Sequence, residues 1–163
     1  MKRISIITVI ALLLTACAST KDVIPDSIAN SIPKGATEVI VSSPLPADSL
    51  YQNVYHNLVL DGYSIQHTSD KMHQITTSGR NLGDIIKNSK VPVMVEGTTL
   101  TLNVMVIKGH TGSEAVFAGN CKMGIFTGGF SAQWRNGGYN VYKYAFACLI
   151  REAKELKGKI SYK

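Results

Sequence analysis

Apolar residues alternate with polar ones along several short stretches of the chain, which is the pattern of strands with one buried face. In the clearest stretch, residues 99–106, the alternating apolar residues are Leu100, Leu102, Val104 and Val106. Residues 37–41 are mostly β-branched and are followed by Ser-Ser-Pro. Residues 114–123 place three side chains on one face, namely Phe117, Cys121 and Met123. We therefore predict a strand at each of these stretches.

Two longer segments carry apolar residues at intervals of three and four, the spacing of amphipathic helices. The first begins with Asp48 as its predicted N-cap and ends at Asp61-Gly62, where the glycine fits a position that needs a positive φ. Its apolar face contains Leu50, Val54 and Leu58. The second covers residues 139–156, and its apolar face contains Val141, Tyr144, Ala145, Cys148, Leu149 and Leu156.

The region between these helices predicts a hairpin. Its expected register places Ile65 opposite Ile75 and His67 opposite His73, with a short loop around Asp70. Residues 79–91 fit either a loop or one helical turn, and the glycine-rich residues 124–138 fit a loop. A short apolar tail at Ile160 follows the last helix.

The predicted order is strand, helix, several strands, helix. Consecutive strands favour an antiparallel sheet with the helices on one side. We therefore expect an α+β fold, a two-layer sandwich in which two main helices pack on one face of an antiparallel sheet of about four to six strands. The chain has 163 residues, of which 45% are hydrophobic and 17% charged, so it suits one globular domain behind one targeting segment.

The N-terminus has the features of a targeting segment. Lys2 and Arg3 precede an apolar run over residues 4–14, which ends at small residues and is too short for a relaxed transmembrane span. The four residues Leu14-Thr15-Ala16-Cys17 resemble the lipobox of bacterial lipoproteins. This resemblance implies cleavage before Cys17, a diacylglyceryl group on its sulfur and acylation of the new amino group. Two or three acyl chains anchor a protein durably.

Three regions follow from this resemblance. We expect a signal peptide at 1–16, a lipidated tether at 17–35, rich in polar residues and containing Pro25 and Pro33, and a single α+β domain at 36–163. Ala18 stands where proteobacterial lipoproteins retained in the inner membrane carry Asp, so the chain resembles outer-membrane lipoproteins that face the periplasm. Its order of elements is similar to small envelope modules with helix-grip or TATA-binding-protein-like folds. The fragment from Ser49-Leu50-Tyr51 to Gly62-Tyr63-Ser64-Ile65 resembles Bacteroidetes lipoprotein domains of unknown function.

Charge argues against nucleic acid as a partner. The formal net charge is +6, and removing Lys2 and Arg3 leaves 15 basic and 11 acidic residues, or +4. These charges are scattered, whereas nucleic-acid binding needs a basic stripe interleaved with stacking aromatics. We expect the membrane, through the lipid anchor, and an envelope protein as partners; any small-molecule ligand is unspecified.

Few residues in the sequence suggest a catalytic, redox or metal-binding role. Cys121 and Cys148 would either form a disulfide in an oxidising periplasm or pack as buried thiols. His67, His73 and Asp70 lie near one hairpin end, but zinc takes three or four ligands, so a cross-strand histidine pair is the simpler interpretation. The chain contains no Gly-x-Ser-x-Gly, and its glycines at 124, 128 and 129 do not match a phosphate loop. We expect no catalytic residue, metal or cofactor.

The best candidate for recognition is the glycine-rich segment with its four aromatic residues, Phe126, Phe130, Trp134 and Tyr139. Exposed aromatics on a loop bind partners, although these could instead fold back over the sheet edge and the helix end. The expected function is a lipid-anchored binding or interaction domain without enzymatic activity. The alternatives are a small-ligand carrier with an apolar cavity between sheet and helices, or a small hydrolase or metal-dependent enzyme using the His67–His73 region.

Overall fold

The structure, a computed structural model, describes residues 26–86, 93–124, 128–135 and 141–163. The signal peptide and the lipobox with Cys17 lie outside these ranges. None of the helices within them combines the length and the apolar character needed to cross a bilayer.

The described residues form one eight-stranded sheet in which every pairing is antiparallel. Its strands are β1 (Glu38–Ser43), β2 (Ile65–Ser69), β3 (Gln74–Thr77), β4 (Arg80–Asn81), β5 (Thr98–Lys108), β6 (Ser113–Met123), β7 (Gly129–Ser131) and β8 (Lys159–Tyr162). Their order across the sheet is β2-β3-β5-β6-β1-β8, with β4 beside β5 and β7 beside β6.

In the described ranges, two long helices and three short ones accompany the sheet. They are α1 (Asp26–Ala29), α2 (Ala47–Leu60), α3 (Leu82–Ile86), α4 (Val93–Glu96) and α5 (Val141–Glu155). The long helices α2 and α5 both contact the central strands. The α+β class and the antiparallel sheet are confirmed, but the sheet is larger than the four to six strands expected.

The additional strands are short. Strand β4 lies in the segment expected to be a loop or helical turn, β7 lies in the glycine-rich segment, and the tail at Ile160 forms β8. These strands have two to four residues. Alternation over so few positions gives no usable pattern, so these strands form because of the strands with which they pair. Strand β8 pairs with β1 and extends the sheet beyond its first strand.

The core lies between the helices and one face of the sheet. Along β5 and β6 every second side chain is buried, as the alternation predicts. Phe117, Leu100 and Leu149 are among the fully buried side chains, and burying each stabilises the fold by roughly 1.5–3 kcal/mol. The layers approach closely at Gly119, where an added Cβ would lie 2.8 Å from Leu100 Cδ1 and 3.2 Å from Leu149 Cδ2.

Helix α2 follows its prediction except at its first turn. Leu50, Val54 and Leu58 are buried, and Gly62 has the expected positive φ of +83°. The N-cap is Pro46 and not Asp48, which lies inside the first turn. The Asp48 carboxylate there complements the positive end of the helix dipole without capping it.

The hairpin register differs from the expected one. Ile65 pairs with Thr77 and Thr68 pairs with Ile75, with an irregularity between Ile65 and His67. The expected pairs of Ile65 with Ile75 and His67 with His73 are therefore wrong. The turn between the strands lies at residues 70–73, later than expected, which moves each partner by two or three positions, and the irregularity accounts for only one position of this difference. His73 precedes strand β3 and has a φ of +48°.

Ordered structure begins before Ala36, earlier than expected. Ile32 is only 6% exposed and belongs to the hydrophobic core, against which Ile28 and Ala29 also pack. The Gly35 N–H donates to the Trp134 carbonyl at 2.8 Å, and the Trp134 N–H donates to the Ala36 carbonyl at 2.7 Å. Part of the segment expected as tether is therefore attached to the domain.

Candidate functional site

One face of the sheet is covered by the helices, and the other carries a continuous neutral surface. The strand registers align five side chains in one row across β8, β1, β6, β5 and β3, in the order Ser161, Ile40, Val116, Met105 and Gln74. Met105 is 38% exposed, although it is apolar and lies in the middle of the sheet. This row places an apolar strip between polar ends.

The neighbouring row is also nearly neutral. It runs from Glu38 through Ala118 and Asn103 to Thr76, whose hydroxyl donates to Asn103 Oδ1 at 3.1 Å. The Glu38 carboxylate lies 3.7 Å from Lys163 Nζ. We call these two rows together the neutral face. It includes a depression of about 260 Å³.

The chemistry of the neutral face suits recognition. Its side chains supply apolar contact, hydroxyl groups and amides, and its one ionisable group, Glu38, has a cationic partner. An apolar centre with hydroxyl and amide groups at its rim is the arrangement found in protein-binding surfaces. Phosphate binding would instead need cations in the same place.

A second feature is a buried polar cluster around Glu152 on α5. Glu152 is 2% exposed, and its Oε1 accepts hydrogen bonds from Tyr63 Oη at 3.3 Å and from Arg151 Nε at 3.1 Å. Arg151 Nη2 approaches the same oxygen at 2.5 Å. Arg151 also donates to the Ile85 carbonyl at 2.7 Å and lies 3.4 Å from Asp61 Oδ2. The cluster thus joins α5 to α3 and to the end of α2.

This cluster holds a carboxyl group that titrates near neutral pH. Burial raises the pKa of Glu152 to about 7, against the lowering effect of the Arg151 guanidinium, and the carboxylate of Asp61 raises it further. Glu152 Oε2 has no hydrogen-bond partner within the described residues. A proton on that oxygen removes the desolvation cost of the buried carboxylate charge. The pKa of Tyr63 is also raised, mainly by its burial and next by the negative charge of the nearby Glu152.

Another depression of the surface lies at the β5–β6 turn. Its volume is about 290 Å³, and Ser42, His110 and Lys159 are among its lining residues. The Ser42 hydroxyl donates to Glu114 Oε1 at 3.3 Å. Neither depression is lined by Glu152 or by Arg151, so the buried cluster is separate from both.

The aromatic residues of the glycine-rich segment do not form an exposed patch where the structure describes them. Trp134 is 4% exposed, and its ring centroid lies 6.1 Å from that of Phe146. Phe130 is half-buried, with its ring centroid 4.7 Å from that of Tyr142. Both fold back onto α5, so a binding role for Trp134 as an exposed contact is wrong. Phe126 and Tyr139 lie outside the described residues.

The hairpin residues weighed as metal ligands have different partners. His67 is exposed and pairs in register with Thr76. His73 Nε2 lies 2.7 Å from Asp48 Oδ1, and Asp70 accepts a hydrogen bond from the Tyr51 hydroxyl at 2.8 Å. Within the described ranges no three histidine, cysteine or acidic side chains converge as metal ligands.

Cys121 and Cys148 are free and buried. They do not form the disulfide that the sequence allowed. Burial raises the pKa of each thiol to about 12, so neither is a thiolate near neutral pH. The two side chains pack as small hydrophobic residues.

Sequence reasoning missed the Glu152 cluster and the neutral face. A signal for the first was present, because Glu152 lies three and four residues after Leu149 and Cys148, on the apolar side of α5. A charged residue on the apolar face of a helix is rarely fully buried unless a partner neutralises its charge. The neutral face gave no local signal, since its rows combine residues from distant parts of the chain.

Comparisons with known proteins add no further assignment: the sequence matches no protein-family model, and no curated protein matches it.

Proposed function

We propose that this protein is a bacterial lipoprotein, anchored through acylated Cys17 to the outer membrane and facing the periplasm, whose domain binds an envelope protein through the neutral face. The anchoring rests on the residues Leu14-Thr15-Ala16-Cys17 behind a charged start and an apolar run. The observation that carries the binding role is the strip formed by Ile40, Val116 and Met105, of which Met105 is 38% exposed.

The composition of the neutral face indicates what its partner presents. Interface cores are poor in charged residues, and their polar groups lie towards the rim. The strip around Val116 follows this arrangement, with Ser161 at one end and Gln74 at the other. The matching partner surface is uncharged and offers apolar side chains together with amide or hydroxyl groups.

Neither alternative function gains comparable support. A carrier needs an apolar cavity between sheet and helices, whereas at Gly119 a single added Cβ would lie 3.0 Å from Ala132 Cβ and still closer to Leu100. An enzyme built on His67 and His73 needs those groups to converge, and His73 is bound instead to Asp48.

The anchoring is tested by growing cells with radiolabelled palmitate. The wild-type protein is expected to incorporate label and the Cys17→Ser variant is expected to lose it, because the thioether can form only on that sulfur. Cys121→Ala and Cys148→Ala are matched controls that remove a buried cysteine and keep the label. Equal labelling of wild type and Cys17→Ser would refute acylation at this residue.

The binding role is tested by photocrosslinking in intact cells. A photoreactive residue at Met105 is expected to capture a defined protein, whereas the same residue at Tyr55 on α2 is not, although Tyr55 is equally exposed at 39%. Adding Val116→Lys to the Met105 probe should abolish capture, because it places an unpaired charge in the strip. Equal capture from both positions, or capture unaffected by Val116→Lys, would contradict binding through this face.

A further inference from the structure

The two segments that meet where the predicted tether joins the domain contain no acidic residues. Residues 27–37 and 115–151 contain no Asp or Glu. The two segments meet through the paired hydrogen bonds of Trp134 with Gly35 and Ala36. Glu114 and Glu152 bound the longer segment in sequence, and the latter is buried with Arg151.

Three cations surround this junction. Lys34 precedes Gly35 and is exposed. The Arg135 guanidinium follows Trp134 and lies 4.3 Å from the Tyr142 ring centroid, and Lys143 Nζ lies 5.6 Å from the Trp134 ring centroid. Within the described residues none of the three forms an ion pair. We call Lys34, Arg135 and Lys143 the basic end.

The aromatic rings position two of these cations. A cation over a ring face is held by the ring quadrupole and keeps its outward N–H groups available. Arg135 Nε also donates to Gln133 Oε1 at 2.6 Å, which fixes the guanidinium further. Charge held in place in this way, without an ion pair among the described residues, favours an anionic partner.

The length of the tether limits how far the basic end can lie from the membrane that holds Cys17. Eight residues lie between Cys17 and Asp26, the first residue of α1, so the two are at most about 30 Å apart when the chain is fully extended. Ile28 and Ile32 attach this end of the chain to the core just before Lys34. An acylated Cys17 would therefore keep the basic end close to the bilayer, where even weak attraction is effective because the local concentration is high.

We propose that the basic end binds the anionic phospholipid headgroups of the membrane in which Cys17 is anchored, which gives the domain a second contact with the bilayer. This inference rests on the proposed anchoring. Electrostatic attraction to such a surface is short-ranged, with a Debye length of about 8 Å at physiological salt. The contact is therefore expected to weaken as salt rises.

Energy transfer from Trp134, the single tryptophan of the chain, tests the proposal. Acylated protein purified from membranes is placed in phosphatidylcholine vesicles carrying a dansyl headgroup lipid, with or without phosphatidylglycerol. Transfer, corrected by donor lifetimes in vesicles without dansyl, is expected to rise with phosphatidylglycerol and to fall with added salt. The variant Lys34→Gln/Arg135→Gln/Lys143→Gln should lose the phosphatidylglycerol-dependent part, since each cation contributes about fivefold to such binding.

A variant with the same change in net charge serves as the control. Lys71→Gln/Lys108→Gln/Lys154→Gln neutralises exposed cations on other parts of the domain and is expected to keep the wild-type response. If both triple variants lose the phosphatidylglycerol-dependent transfer equally, the effect is one of net charge. If the basic-end variant keeps the wild-type response, the basic end is not the contact with the membrane. Transfer that rises with protein density at fixed lipid composition would indicate contact between copies instead.

Failure of this inference is distinguishable from failure of the proposed function. The acyl state of Cys17 in the same preparation is read from the mass of its N-terminal peptide. Acylated protein that does not respond to phosphatidylglycerol overturns only the second contact, whereas a bare Cys17 overturns the anchoring.

Discussion

Among single residues, Glu152 shows best what can and what cannot be predicted from the sequence. Its position on α5 marks it as a charged residue on an apolar helix face, which the sequence alone can reveal. Its partner Tyr63 lies 89 residues away. Periodicity carries no information over such a distance, so neither the hydrogen bond nor the raised pKa could be predicted.

The raised pKa of Glu152 gives the protein a pH-dependent stability with a defined sign. The folded protein binds the proton at a pKa of about 7 and the unfolded chain at the ordinary 4.5, so this contribution is complete below pH 4.5 and is lost as pH rises to about 7. Over that window the free energy of unfolding is expected to fall by up to about 3 kcal/mol relative to Glu152→Gln. Urea unfolding of both proteins at pH 5 and pH 8 measures the difference. A wild type that gains stability with pH relative to the variant would have the opposite sign and would contradict this account.

The buried thiols make a second prediction at the residue scale. In the folded Cys17→Ser variant, Cys121 and Cys148 should react with a thiol reagent at least about a hundredfold more slowly than in denaturant, because each lacks both access and thiolate character. Absorbance of the released chromophore follows the reaction. Rapid labelling without denaturant, or absence of free thiol after unfolding, would contradict the free and buried state.

At the scale of elements, length separates the predictable strands from the others. Strands β5 and β6 have 11 residues each, enough for alternation to identify their buried faces. The short strands β7 and β8 depend on pairing with β6 and β1, which the local sequence does not encode. The predicted β2–β3 register was wrong because the position of the turn sets the register, and the turn lies at residues 70–73, later than the sequence suggested.

The turn from α5 into β8 depends on close backbone contact at Gly158. A Cβ there would lie 2.5 Å from the Ser42 carbonyl oxygen, which belongs to the backbone of β1 and cannot move aside. We expect Gly158→Ala to lower the free energy of unfolding by about 1–3 kcal/mol. Gly128→Ala is the matched control, since nothing lies within 4 Å of its added Cβ, and it should change stability by less than about 0.5 kcal/mol. Thermal unfolding compares the two, and equal effects would show that the close approach does not matter.

For the whole molecule, the sequence predicted the α+β class and the antiparallel sheet but not the neutral face. Runs of strands and two amphipathic segments were sufficient for an α+β fold with an antiparallel sheet. The neutral face needed the pairing of Ile40 with Val116 and of Val116 with Met105, contacts that join distant parts of the chain. The candidate site chosen from composition, the aromatic segment, instead contributes Trp134 to the core.

The central claim is that acyl chains on one sulfur keep this domain at a bilayer, and its most direct test is the mass of the N-terminal peptide of protein extracted from native membranes. We predict a chain that begins at Cys17 and carries a diacylglyceryl group. A peptide beginning at Met1, or one with an unmodified Cys17 thiol, would contradict the claim.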